Sequence, residues 1–364
     1  MAASLPGNQN MLYRTLPIGL ALTMALLPVT VLDAVAAEPP RVRLITTGGT
    51  ISNRPGRRLS PTELVALVPD LDKLVETEIE EFSNVSSSAI TLGQWLELAR
   101  RINAVFDDDP ALAGVVVTSG TDTLEELAFY LHLTVRHVRP VVVVGSVRRP
   151  ETPGYDGAAN LRQAFRVAGD AASRGRGVLV ALNDQIHSAR EVTKVDALHL
   201  QAFETRGYGM LGVVARDRIV YYRGLERRHT AASEFDIAQV EQLPRVDIVV
   251  AYQGATGDLI RASVDRGARG IVIAAAGAGA TSSGQRDAIA YAYEQNVVVV
   301  VTTRTGSGRI APRGPTLDEF NANDDHPQRI AGEDLAPIKA RILLMLALTA
   351  TVDLDDIRRM FAEY

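Results

Sequence analysis

Residues 114–135 read GVVVTSGTDTLEELAFYLHLTV. A run of β-branched residues stops at a polar turn containing one glycine, and a helical pattern takes over. GVVVT is continuously apolar rather than alternating, which marks a strand covered on both faces, hence a largely parallel sheet in βα units. Behind the turn, Leu124, Leu127, Ala128, Leu131 and Val135 recur at the spacing of one helical face. The same unit is repeated elsewhere. VRLIT (42–46), VVVVG (141–145) and VLVAL (178–182) are followed later by VDIVVAY (246–252), GIVIAA (270–275) and VVVVVTT (297–303). The fold class is α/β.

A chain of 364 residues can bury a large core and is expected to divide in two. The rhythm breaks at GLERRHTAASEFDIAQVEQLPR (224–245), which is polar and without period. The expected organisation is a larger N-terminal domain over 38–224 with a mostly parallel sheet flanked by helices, a linker over 225–245, and a smaller C-terminal α/β domain over 246–364. With 38 Lys+Arg against 43 Asp+Glu, the formal net charge of −5 lacks the basic footprint of a nucleic-acid binder. The absence of cysteine excludes disulfides and thiol catalysis.

Residues 1–37 have a different character. Arg14 precedes the apolar run LPIGLALTMALLPVTVL, and Ala34 and Ala36 are spaced for an A-x-A cleavage. This is the pattern of a secretory signal peptide, so a periplasmic or secreted protein without stable membrane anchoring is expected. The rival is a membrane anchor, but Pro17 and Pro28 bracket fewer than the roughly 20 apolar residues a span prefers. Met11 is an alternative start, since the signal works without the residues before it.

In open α/β sheets, ligands bind beyond the carboxyl ends of the strands. Here those ends are TTGGTIS (46–52), TSGTDTLEE (118–126), GSVRRPETPGYDGAANLRQA (145–164) and LNDQIHSAREVTK (182–194). They supply hydroxyls, a carboxylate and an ammonium. A threonine hydroxyl becomes a nucleophile when a neighbouring group takes its proton. Lys194 near Asp122 and a threonine would make a Thr–Lys–Asp relay, with glycines admitting backbone N–H groups to a developing oxyanion. Each block also has a bland explanation. Thr123 to Glu126 fits a helix capping box, TTGGT fits a tight turn or phosphate cradle, and an isolated Lys194 fits a solvated surface.

Together and in order, the four blocks resemble the bacterial-type L-asparaginase/glutaminase family, from Arg41 almost to the C-terminus. The family's signatures look like TGGTI, HGTDT(M/L)EE, GAMRP…DG…NL and NDxxxxxRxxTK, and IKARILLMLALT (338–349) resembles its last helix. The resemblance implies hydrolysis of the side-chain amide of L-asparagine to aspartate and ammonia, with L-glutamine as a further substrate and no cofactor or metal. It implies that Thr50 is the nucleophile, that Thr121, Lys194 and Asp122 form a triad, and that Asp122 also binds the substrate's α-ammonium. Ser87 aligns with the serine that holds the α-carboxylate, and Ser88 with its neighbour. Gly49 and Gly120 are expected to face the substrate, and a homotetramer is implied.

The chain departs from the family at several points. Exported members carry a longer mobile loop after the nucleophile, with a tyrosine that touches it; ISNRPGRRLS (51–60) is shorter and has none. Ser119 stands for the usual His, and Ala280 for a substrate-side Asn. No residue matches the C-terminal-domain Glu, Asp318 and Glu319 being nearby but unaligned. The six histidines are scattered without metal-site spacing. GAGATSSG lacks the dinucleotide fingerprint and suits a helix cap or interface loop. Trp95 suits a helix core position, and Asp107 to Asp109 a solvated helix end. Two alternatives remain open from the sequence: a periplasmic amino-acid-binding protein, and a family member acting on another amide.

Overall fold

The computed structural model describes residues 38–312 and 328–364. The expected leader and the pair Asp318 and Glu319 lie outside the described residues. Chain order begins with β1 (Arg41–Gly48), the hairpin arms β2 (Asn53–Arg54) and β3 (Arg57–Arg58), α1 (Pro61–Ala66) and β4 (Glu76–Val85). Then come α2 (Leu92–Asp108), β5 (Gly114–Thr118), α3 (Leu124–Thr134), β6 (Val141–Val144), α4 (Gly157–Gly169) and β7 (Val178–Leu182). Five short strands follow: β8 (Gln185–Ser188), β9 (Val192–Lys194), β10 (Phe203–Thr205), β11 (Gly212–Val214) and β12 (Ile219–Tyr221).

The large sheet is ordered β12-β11-β8-β7-β6-β5-β1-β4. From β4 to β7 the strands run parallel, as the continuous apolar runs require, and β8, β11 and β12 are added antiparallel. Strands β5, β6 and β7 are buried at every residue. The chain enters at β1, pairs β4 on one side of it and β5 on the other. The order therefore reverses at β1 and β5, the switch point where ligand crevices form beyond the strand ends. TTGGT and TSGTDT leave the sheet side by side there.

The second sheet is β13 (Val246–Val250), β14 (Gly270–Ala275), β15 (Val298–Thr303) and β16 (Ile330–Ala331), parallel throughout, with α5 (Asp258–Asp265) and α6 (Ser283–Glu294). Ser282 caps α6 in a box with Gln285, which gives GAGATSSG its expected capping role. Helices α7 (Pro337–Ala350) and α8 (Leu354–Glu363) end the chain. α7 packs against α3 and also against β13 and β14. It is buried nearly all round, from Lys339 to Ala347, because α3 covers it on one side and the second sheet on the other. The same holds for α3, where burial extends well beyond the one face its periodicity indicates. Trp95 lies in this core, its ring 5.2 Å from that of Tyr130. The segment between the sheets has no element longer than the turn Thr230–Ala232. It is nevertheless pinned down, with Arg100 donating to the Ile237 carbonyl and Phe235 buried.

Candidate active site

Two glycine turns meet backbone to backbone at the switch point. Gly48 and Gly49 take φ of 102° and 92°, which L side chains rarely adopt. A Cβ placed on Gly49 would stand 2.4 Å from the Gly120 nitrogen, and one on Gly120 would stand 2.8 Å from Ser87 Oγ. Only glycine lets these three segments come so close. The residue after each glycine is a threonine: Thr50 opens a three-residue 3-10 turn and is half-buried, and Thr121 is buried. Neighbouring hydroxyls tie the strand ends together. Thr47 Oγ1 donates to the Thr118 carbonyl at 2.7 Å, Thr118 Oγ1 accepts from the Thr47 amide, and Ser52 Oγ donates to the Gly49 carbonyl. Thr47 and Ser52 thus act as structural hydrogen-bonders.

Lys194 reaches the same place from β9. Its Nζ donates to Thr121 Oγ1 at 3.1 Å and to Asp122 Oδ1 at 2.8 Å. The lysine side chain is 15% exposed whereas that of Asp122 is 77% exposed, so the ammonium is enclosed and the carboxylate faces solvent. The solvated alternative for Lys194 is overturned by these contacts. Ser87 is buried against Gly120, while Ser88 is exposed with Ser86 Oγ as its bonded partner at 3.5 Å. Gly49, Ser87, Gly120, Thr121, Asp122 and Lys194 are therefore brought together by direct contacts, and Thr50 by its peptide bond to Gly49.

The capping box expected at Thr123 does not form, since its side chain accepts no amide of α3. Glu125 has another use. It turns to β9, accepting from the Lys194 amide at 3.0 Å and from Thr193 Oγ1 at 3.2 Å. Its other oxygen is buried without a hydrogen-bond partner and lies 4.0 Å from the Lys339 ammonium. Lys339 is 2% exposed and donates to the carbonyls of Ala189, Arg190 and Val192, the residues leading into β9. Burial pushes its ammonium down to about 8, against the opposing pull of Glu125. One residue further on, Arg190 grips Asp334 with two hydrogen bonds of 2.8 Å. Burial alone would raise the Asp334 carboxyl, but the Arg190 guanidinium holds it far below the usual range. In the sequence this clamp shows only in pieces: Glu125 and Arg190 stand in the TSGTDTLEE and LNDQIHSAREVTK blocks, and Lys339 is a lysine in the apolar helix IKARILLMLALT. Nothing in their spacing says that they meet.

The β6–α4 loop is ordered by the DG…NL motif. Asp156 accepts from the amides of Val147 and Arg148, and Asn160 Nδ2 donates to the Gly145 carbonyl.

The chain matches the asparaginase N-terminal family over residues 41–227 and the glutaminase/asparaginase C-terminal domain over residues 245–361. It is 39% identical over 337 residues to an L-asparaginase 2 of Bacillus subtilis (strain 168), covering 89% of this chain and 87% of that one. A probable periplasmic L-asparaginase of Haemophilus influenzae is 35% identical over 338 residues, with 90% and 94% covered. Among solved structures, a probable cytoplasmic L-asparaginase from Campylobacter jejuni superposes with a TM-score of 0.80 at 34% identity, covering 90% of this chain and all of that one. By these matches the chain is an α/β amidohydrolase, and it belongs to the asparaginase/glutaminase family. It is an enzyme of the asparaginase type.

Proposed function

We propose that the protein hydrolyses the side-chain amide of L-asparagine, with L-glutamine as a further substrate, through a threonine nucleophile. Thr50 Oγ1 attacks the amide carbon, the carbonyl oxygen takes the negative charge, and the C–N bond breaks as the nitrogen gains a proton and leaves as ammonia. Water then attacks the resulting ester, returning the proton to Thr50 and releasing the acid. Thr121, Lys194 and Asp122 carry the protons of these steps, while Ser87 and Asp122 receive the α-carboxylate and α-ammonium, with Ser88 beside them. The observation that supports this most is the enclosed Lys194 ammonium, bonded to both Thr121 and Asp122 beside the Gly49–Gly120 contact.

The test is ammonia release by the purified protein from asparagine, glutamine and β-aspartyl amides, together with mass spectrometry of quenched enzyme. An acyl adduct on the peptide containing Thr50 is expected. Binding of asparagine without turnover, or an adduct only at Thr121, would overturn the assignment. The leader-like pattern of residues 1–37 supports export to the periplasm, for which the mature N-terminus found after cell fractionation is the check. A homotetramer is expected from the family, and light scattering measures it directly.

A further inference from the structure

Within its own turn Thr50 is spanned by Ser52, whose hydroxyl and amide both donate to the Gly49 carbonyl at 3.3 Å. Two glycines with positive φ precede Thr50, and the turn is three residues long. Two side chains from outside the turn hold the carbonyls on either side of Thr50. Arg58 Nη1 donates to the Gly49 carbonyl at 3.1 Å, and the Tyr155 hydroxyl donates to the Ile51 carbonyl at 2.8 Å. Tyr155 comes from the far side of the crevice, in the loop that Asp156 organises. Its ring lies against Gly157, where a Cβ would stand 2.2 Å from the phenol oxygen. The same loop is tied to the hairpin a second time, by Glu151 and Arg54 at 2.8 Å. Burial, with Asp156 adding to it, pushes the Tyr155 phenol up, so it remains a donor across the working pH range.

We propose that Tyr155 and Arg58 are positioning residues that hold the Thr50 turn at attacking geometry by gripping the Gly49 and Ile51 carbonyls. Neither need touch the substrate. Displacement of a reacting atom by about an ångström costs on the order of 100-fold in rate, so a turn loosened at one carbonyl loses turnover before it loses binding. This rests on Thr50 being the nucleophile.

The experiment compares Tyr155→Phe, Arg58→Met, Arg58→Lys and Thr50→Ala in steady-state hydrolysis of asparagine, with thermal unfolding of each. Tyr155→Phe keeps the ring and removes only the hydroxyl. Its kcat is expected to fall about 10-fold with KM within about two-fold, the split expected when an interaction matters in the transition state alone. Arg58→Met should behave alike, and Arg58→Lys, which retains a donor, should recover most of the rate. If Tyr155→Phe and Arg58→Met keep wild-type kcat while Thr50→Ala is inactive, the positioning role is wrong and the nucleophile stands. Losses that vanish once rates are corrected for folded enzyme would overturn it equally. Should Thr50→Ala keep normal turnover, the nucleophile is misassigned and the positioning role falls with it.

Discussion

Replacing Lys339 by methionine tests whether the clamp around β9 is held electrostatically. Methionine keeps most of the length of the side chain and removes its charge. The native ammonium is pushed from the usual 10.5 to about 8. That shift corresponds to a cost of about 3 kcal/mol for carrying the charge below pH 8, at roughly 1.4 kcal/mol per unit. The uncharged thioether escapes this cost. Against it, Glu125 loses its cation in a buried site, which costs about 3–5 kcal/mol when one partner of such a pair is removed. The three carbonyls of residues 189, 190 and 192 also lose their donor, at about 1–3 kcal/mol for each group left dry. The losses win, and Lys339→Met should destabilise by about 3 kcal/mol or more near pH 7. Adding Glu125→Gln should restore at least about 1 kcal/mol, because the stranded charge is then gone. The sign with pH follows from linkage. Between about pH 8 and 10.5 the unfolded lysine still holds a proton that the native one has released, so the wild type gains stability from this group as pH rises. The difference between wild type and Lys339→Met in urea unfolding, at one protein concentration, should widen across that window. A difference that stays flat or narrows would show that the native ammonium is not depressed. Folded Lys339→Met should also lose about 10-fold or more in kcat, since small displacements of catalytic groups are costly; normal kcat would refute the link from Lys339 to Lys194.

Thr50→Ala and Thr121→Ala should each lower kcat by about 1,000-fold or more with far-UV circular dichroism unchanged, because an activated hydroxyl or its proton partner is lost. Lys194→Met should do the same; Lys194→Arg keeps the charge but no longer gives up a proton, so it should rescue little. Gly120→Ala places a methyl group 2.8 Å from Ser87 Oγ. It should raise KM for asparagine by about 10-fold or more, a loss of uniform binding, and unchanged KM would remove Ser87 from the substrate's carboxylate.

How much of this was legible in the sequence depends on the distance over which each interaction acts. The apolar runs revealed β5, β6 and β7 because burial on both faces leaves no polar alternate positions, and β1 by the run that follows Arg43. ETEIEEFSNV hid strand β4, whose charges fit only once Arg41, Arg43 and Arg101 are seen beside Glu78 and Glu80. An edge strand tolerates such charges, and they discourage pairing with another chain. The antiparallel strands β8, β11 and β12 are four residues or fewer and carry too little pattern to register. The site residues were recognisable through their motifs, but their support was not. Glu125 and Lys339 are far apart in the chain, and nothing local distinguishes a glutamate that caps α3 from one that braces β9.

The segment ISNRPGRRLS shows the same limit most clearly. Its lack of a tyrosine suggests a nucleophile left without support. In the fold, the short hairpin formed by β2 and β3 is held by Arg58 from within and by Arg54 through Glu151. The tyrosine contact with this turn comes from position 155, across the crevice and about a hundred residues later. A tyrosine absent from the hairpin's own sequence thus reaches this turn from the β6–α4 loop, which leaves the sheet one strand beyond the β1/β5 switch point. Comparison of motifs position by position misses such a contact, since it is the topology that makes the two segments neighbours.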